Sequence, residues 1–222
     1  MKAPPGRMCG VCGAMVPPPF RVPRPELAPD LDMRPGEPAR STLPRWLQVC
    51  RCGAAAPDLA LLPASARPIV ESPEYQAWNG TSAFRCWAIL CHAAGDTRSE
   101  AEALLQAAWA ADDAGDVAAA SAARLEAAVL WAETPDTALQ RLDALRRAGD
   151  FDAAEVWADI LTGRGLDETS RAIVAFQRAR AAAGDTGRHT IAAALPPPAH
   201  GPHVSHGRRP QRGFLARLFG QR

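Results

Sequence analysis

The chain is almost without lysine: Lys and Arg together number 25, and only Lys2 is a lysine. A P-loop places a lysine after its glycines and a pyridoxal enzyme needs one for its Schiff base, so one lysine beside the terminus argues against both. Nor is there an H-E-x-x-H, a G-x-S-x-G, or a G-x-G-x-x-G opening a helix. Of the five histidines, His92 alone stands in the helix-forming middle of the chain, which leaves little for general-base work. The expectation is a protein that is not an enzyme and takes no small-molecule substrate.

Long apolar runs are missing too. No stretch approaches the roughly 18 uninterrupted apolar residues of a spanning helix, and the opening "MKAPPGRMCG" has no signal-peptide core. A cytoplasmic location is expected. In a reducing cytosol, clustered cysteines serve as metal ligands or redox thiols more readily than as structural disulfides. Aromatic residues are only 6%, yet six are Trp and the apolar share is mostly alanine, so close helix contacts pinned by a few large rings are expected.

The formal charge of +1 conceals a division. Residues 1–70 carry 9 basic and 5 acidic groups, 71–184 carry 10 and 18, and 185–222 carry 6 and 1, giving segments of +4, −8 and +5. A basic head and tail around an acidic middle could attract one another or meet different partners.

From Gly13 to about Ser72, proline interrupts the chain repeatedly, as in "VPPPFRVPRPELAP" and "LPASARPIVESP". Proline removes an amide donor and clashes with the preceding turn, so short strands, turns and extended segments are expected there. After Pro73, large apolar residues recur at helical spacing: Phe84, Trp87, Leu90 and Cys91; Leu104, Leu105, Ala108 and Trp109; Leu125, Val129 and Ala132; Leu139, Leu142 and Leu145. Val156, Trp157, Ile160 and Leu161, then Ile173, Phe176 and Ala179, continue the series. The triplet "AGD" recurs with glycines at 115, 149 and 184, spaced by 34 and 35 residues. Glycine past a helix end followed by Asp as the next N-cap is the chemistry of a tight helix-to-helix turn. This period, with "GDFDAAEVWADIL", resembles the tetratricopeptide repeat over roughly residues 96–184; an irregular helical bundle is the alternative. The fold class is mainly α: a small zinc-ribbon-like module over 1–70, then tetratricopeptide-like antiparallel hairpins over 71–184. Residues 185–211, poor in apolar mass, are expected to be a disordered linker to a short basic tail at 212–222.

Four cysteines stand in two pairs, Cys9 and Cys12 in "MCGVCGA" and Cys50 and Cys52 in "VCRCGA". A Cys-x-x-Cys turn presents two thiolates from one knuckle, and two such turns close a tetrahedral zinc site. Gly13 and Gly53 follow the second ligand of each pair, where the backbone tends toward positive φ. The second pair departs from the usual bite, with Arg51 alone between its thiols. A structural Zn²⁺ on Cys9, Cys12, Cys50 and Cys52, with Trp46 packed beside it, is expected. A metal-free ribbon is the alternative, and a redox dithiol would want a thioredoxin-like βαβ setting that nothing around Cys9 supplies.

"LDMRPGEPARSTLPRWLQVCRCGAAAPD", the leading "CGVCG" and the downstream "LLQAAWAADDAGD" together resemble bacterial proteins of unknown function that join an N-terminal zinc ribbon to a tetratricopeptide-like helical domain. The resemblance spans about residues 9–184 and implies fold and metal but no reaction. Most members carry Cys-x-x-Cys-Gly where this chain has "CRCG".

Other groups have plainer readings. Cys86 and Cys91 do not share a helix face and read as core residues. Asp112 and Asp113 after Trp109 read as a solvated acidic helix end. Histidines 200, 203 and 206 lie among Pro and Gly in an unstructured tract. Scattered basic residues beside an acidic domain argue against nucleic acid as a partner, although zinc ribbons often bind it. In "RGFLARLFGQR", Phe214, Leu215, Leu218 and Phe219 fall on one side of a short helix, with Arg212 and Arg217 near its edges. That pattern suits an anionic membrane surface on the inner face of the membrane, a partner's groove, or the protein's own helical domain. The leading expectation is a zinc-stapled ribbon orienting a helical domain whose acidic surface receives a protein partner.

Overall fold

The computed structural model of the protein describes residues 7–131 and 137–195. Ala132, the three clustered histidines and the tail from Arg212 through Phe214, Leu215, Arg217, Leu218 and Phe219 lie outside them. The body is mainly helical, with four two-residue strands near the N-terminus. Strand β1 (Arg7–Met8) pairs antiparallel with β2 (Met15–Val16), and β3 (Gln48–Val49) with β4 (Ala55–Ala56). Pro17 and Pro57 follow β2 and β4 and lack the amide that would extend either ladder.

Two single-turn helices come next, α1 (Arg67–Val70) and α2 (Pro73–Gln76), each with a proline in its first turn, where the missing amide costs nothing. The long helices are α3 (Ala83–Ala93), α4 (Thr97–Ala114), α5 (Val117–Leu130), α6 (Ala138–Ala148), α7 (Phe151–Thr162) and α8 (Glu168–Ala182). Each packs on the next. A short α9 (Ile191–Ala194) ends the described chain.

Glycine–aspartate pairs make the turns. Gly95, Gly115, Gly149 and Gly184 are left-handed, and the amides of Asp96, Asp116, Asp150 and Asp185 return to the carbonyls of Cys91, Ala111, Leu145 and Arg180. The carboxylates of Asp96, Asp116 and Asp150 then accept the amides of Ser99, Ala119 and Ala153, capping the following helices. Asp185 breaks the series. Its side chain accepts from Gly187 instead, and the chain turns back over the helices.

The stretch from Asp185 to Leu195, expected to belong to a disordered linker, is therefore a strap. The Leu31 amide donates to the His189 carbonyl, the Ile191 amide donates to the Pro29 carbonyl, and Leu31, Ile173 and Ala194 share a small apolar cluster. Composition counted the apolar residues of 185–195 alone and missed those that Leu31 and Ile173 contribute.

Three stripes are corrected. Helix α8 buries Ile173, Val174, Gln177 and Ala181 and leaves Ala179 exposed. Helix α5 buries Ala120, Ala123, Arg124, Ala127 and Ala128, whereas Val129 is 72% exposed. On α7, Trp157 and Leu161 are buried and Val156 and Ile160 are exposed. A helix held between two neighbours packs by its small residues, because alanine lets the backbones approach. Val129 is left at the edge, while Arg124 is buried with its guanidinium on Asp112.

The acidic end of α4 is not simply solvated. Asp112 receives both guanidinium nitrogens of Arg124, at 3.0 and 2.5 Å, and Arg147 at 2.7 Å; Asp113 receives Arg34 at 2.5 Å. Burial opposes the charge of Asp112, but the two guanidiniums hold its carboxyl below the usual range. Asp32, fully buried in the proline-rich segment, accepts from the Trp109 indole and from Arg147, both at 2.8 Å. Asp143, also buried, accepts from Arg146 and Gln177, each at 2.8 Å, while burial and nearby Asp32 push its carboxyl up. Unpaired, any of these charges would be costly to bury; paired, they fix the segment 30–34 against α4 and α6.

Trp46, expected beside the cysteines, instead meets Trp109 edge-to-face at 6.3 Å and joins Leu43 and Leu47 in the helical core. Its indole donates to Thr42. Three residues separate Trp46 from Cys50, but β3 turns the chain away between them.

Candidate metal centre

Each cysteine pair sits at the tip of one hairpin. In the first, the Gly13 amide returns to the Cys9 carbonyl at 2.8 Å and the Cys9 amide donates to Ala14 at 2.8 Å. In the second, Gly53 returns to Cys50 and Cys50 donates to Ala54, again at 2.8 Å. Gly13 and Gly53 have φ of 74° and 89°, a conformation an L side chain rarely adopts. The Cys-x-Cys turn is thus the Cys-x-x-Cys knuckle shortened by one residue, with its closing bonds and its glycine kept.

The two tips face each other, and the four sulfurs lie within 4.8 Å of one another. Cys12 Sγ is 3.5 Å from Cys50 Sγ. Tetrahedral zinc with Zn–S of about 2.3 Å spaces its sulfurs about 3.8 Å apart, so the donor set fits such an ion. Four thiolates would complete the tetrahedron and leave no open position, so a metal held here supplies structure and not a reactive site.

The thiols are poised unequally. The Ala14 amide pulls Cys12 down to about 7, aided by the neighbouring sulfurs. Burial pushes Cys50 up to about 12 and raises Cys52, against the amides of Cys52 and Ala54 that point at their sulfurs. Four sulfurs this close together, with Cys9 and Cys50 buried, cannot all ionise without a cation among them, which is the electrostatic case for a metal.

Residues outside the cysteines hold the tips together. Gln48 donates to the Pro17 carbonyl at 2.6 Å and accepts the Leu59 amide at 2.8 Å, joining the two hairpins. The Tyr75 hydroxyl donates to the Gly53 carbonyl at 3.1 Å and accepts the Ala55 amide at 3.0 Å. The Gly10 amide donates to Leu59 at 2.9 Å, and an added Cβ at Gly10 would lie 1.7 Å from the Leu62 carbonyl oxygen. Arg67 donates to the Val11 carbonyl between the first two ligands, and Arg7 pairs with Asp58. Sequence reading missed Gln48 and Tyr75; the one signal for Tyr75 was that it is the sole tyrosine of the chain.

Packing crosses the boundary expected at residue 70. Val70, Tyr75, Cys86 and Leu90 share one apolar cluster with Cys9, Cys50, Leu59 and Leu62. Cys86 and Cys91 are buried core residues, as expected, and His92 is exposed beside Glu100. Among the described residues, the four knuckle cysteines alone form a cluster able to hold a metal, and no helix is long and apolar enough to cross a membrane. No family model, no curated protein and no solved structure matches the chain.

Proposed function

We propose that this is a non-enzymatic zinc protein that acts as an interaction or scaffold module. In this reading, zinc on Cys9, Cys12, Cys50 and Cys52 stiffens the head, and the helices behind it form tetratricopeptide-like hairpins that present a surface to a protein partner. The convergence of four sulfurs from two glycine-closed knuckles carries the metal half of the proposal. The recurring glycine–aspartate turns support the repeat reading, since residues 116–149 and 150–184 each open on an Asp cap and end on a left-handed glycine. The same reading aligns the chain with the ribbon-plus-helix proteins of unknown function that its motifs resemble.

Metal analysis of the native chain beside Cys50→Ser and Cys52→Ser tests the first half. One zinc per chain, lost in both variants, is expected; metal-free native protein that keeps its fold in chelator would end the proposal. For the second half, the native chain and Cys50→Ser serve as parallel baits. A partner retained only by the native chain is expected, and equal recovery would separate the head from the interaction.

A further inference from the structure

The body carries one groove whose chemistry mirrors the end of the chain. It has a volume of about 700 Å³ and lies among α1, α2, α3 and α4. Half-buried Ile69, Trp78 and Ile89 give it an apolar floor, and Glu74, Glu100 and Glu126 stand around it. Arg85 lies 4.9 Å over the Trp78 ring and pairs with Glu126; His92 contacts Glu100 at 3.1 Å. Glu74 has no ion-pair partner among the described residues. Three carboxylates outnumber Arg85 and His92, so the groove is apolar within and net negative at its rim. A second groove of about 550 Å³, beside Leu31 and Ile173, lacks that sign, because its rim charges Arg98 and Glu102 already pair with each other.

We propose that residues 212–222 of this chain dock into the Trp78 groove in cis. The segment brings four large apolar side chains, Phe214, Leu215, Leu218 and Phe219, with Arg212, Arg217 and Arg222 and no acidic residue. Its arginines answer Glu74 and Glu100, and its rings and leucines answer Ile69, Trp78 and Ile89. Reach is sufficient. Sixteen residues, 196–211, separate the strap from the segment; a chain of that length reaches about 55 Å at most. The strap and the groove also border the same helix: Ile191 lines the second groove with Arg98 and Glu102 of α4, and Glu100 of α4 lines the Trp78 groove. Tethering also sets an effective concentration of order millimolar, enough to populate a contact too weak to form between separate molecules. The inference does not draw on the metal reading: it stands on groove and tail alone, and would survive a metal-free head.

The test uses the full-length chain labelled with ¹⁵N. In Phe214→Asp/Leu218→Asp, the Trp78 indole and the Ile69 and Ile89 amide resonances are expected to move, while the Trp109 and Trp157 indoles stay and report an intact fold. In Glu74→Arg/Glu100→Arg, the Leu215 and Leu218 amides are expected to move to the positions they hold in a free 208–222 peptide. Both shifts should be the same across a tenfold range of protein concentration. Unmoved Trp78 and tail signals would overturn the proposal. A shift that grows with concentration would assign the groove to a second copy, and one appearing only with phosphatidylglycerol vesicles would assign the tail to a membrane; either result also overturns docking in cis.

Discussion

The indole of Trp109 donates to Asp32 Oδ2 at 2.8 Å across 77 residues of sequence, and Arg147 donates to the same oxygen at 2.8 Å. A carboxylate from the proline-rich segment therefore depends on two helices for its burial, and those helices depend on it to neutralise Arg147.

Removing that carboxylate should be costly. Asp32→Ala leaves the Arg147 guanidinium with Asp112 alone and the Trp109 N–H without an acceptor. Breaking a buried pair from one side costs about 3–5 kcal/mol, and Trp109→Phe, which removes a neutral donor together with part of a buried ring, should still cost less, about 1–3 kcal/mol. Urea unfolding followed by tryptophan fluorescence checks the order. Equal losses would mean that the ion pair adds nothing beyond the indole bond.

Metal uptake should release protons unevenly. At pH 7, Cys12 is about half ionised, whereas Cys50, at about 12, and Cys52, also raised, hold a whole proton each. Those two must each surrender one, so affinity falls as pH falls and the heat of binding depends on buffer ionisation. Titration calorimetry in buffers of differing ionisation enthalpy measures the release. Fewer than two protons at pH 7 would contradict the environments described for Cys50 and Cys52.

The metal-free chain should be sensitive to base. Burial pushes both Cys50 and Cys91 from 9.0 up to about 12, so each contributes stability that is whole below pH 9 and is lost as pH rises through 12. Thermal melting of chelated protein should fall across that window, while the metal-loaded chain, with Cys50 already a thiolate, should fall less. Parallel curves for the two forms would place Cys50 outside the metal site.

Glycines 10 and 13 should behave differently. At Gly13 nothing lies within 4 Å of an added Cβ, so Gly13→Ala meets only the left-handed backbone penalty of about 1–2 kcal/mol. Gly10→Ala drives a methyl into the Leu62 carbonyl and must separate the first knuckle from the segment at 59–62. In protein loaded with added zinc, loss of the ion to a chelator, timed for each variant, should be much faster in Gly10→Ala. The reverse order would mean that the knuckle does not rest on Leu62.

Tyr75→Phe should loosen the second knuckle alone. It leaves the buried Ala55 amide without its side-chain acceptor and the Gly53 carbonyl without its donor, at a cost of about 1–3 kcal/mol. Hydrogen exchange should quicken at Ala54 and Ala55 and stay unchanged at Cys9 and Ala14. Uniform quickening would show that the two tips open together.

What could be read from sequence alone follows the range of each interaction. Cys9-x-x-Cys12-Gly13 and the glycine–aspartate turns are local: one glycine and one carboxylate decide the backbone within five residues, and both were legible. The convergence of Cys50 and Cys52 on the first pair was legible through donor chemistry, because thiolates in such turns have few other uses. Trp46 and Asp112 were misplaced, and Asp32 was not singled out at all, because their partners lie across the fold at Trp109, Arg147 and Arg124, and no periodicity reports a pairing of that kind. On α5 the largest side chains marked the wrong face, since alanine contact between three helices outweighs the burial of Val129.

The link from Asp32 to Arg147 spans 115 residues, and the strap that covers the same segment comes later still. On the ribosome, the cysteine turns emerge and can close at once, whereas Asp32 must stay hydrated until Arg147 of α6 has left the exit tunnel, and Pro29 and Leu31 stay uncovered until His189 and Ile191 follow. Synthesis and folding thus run in opposite directions along the first fifty residues. The head is made first, but it is seated last, and a nascent chain stalled before residue 147 would carry a finished knuckle on an unfinished molecule.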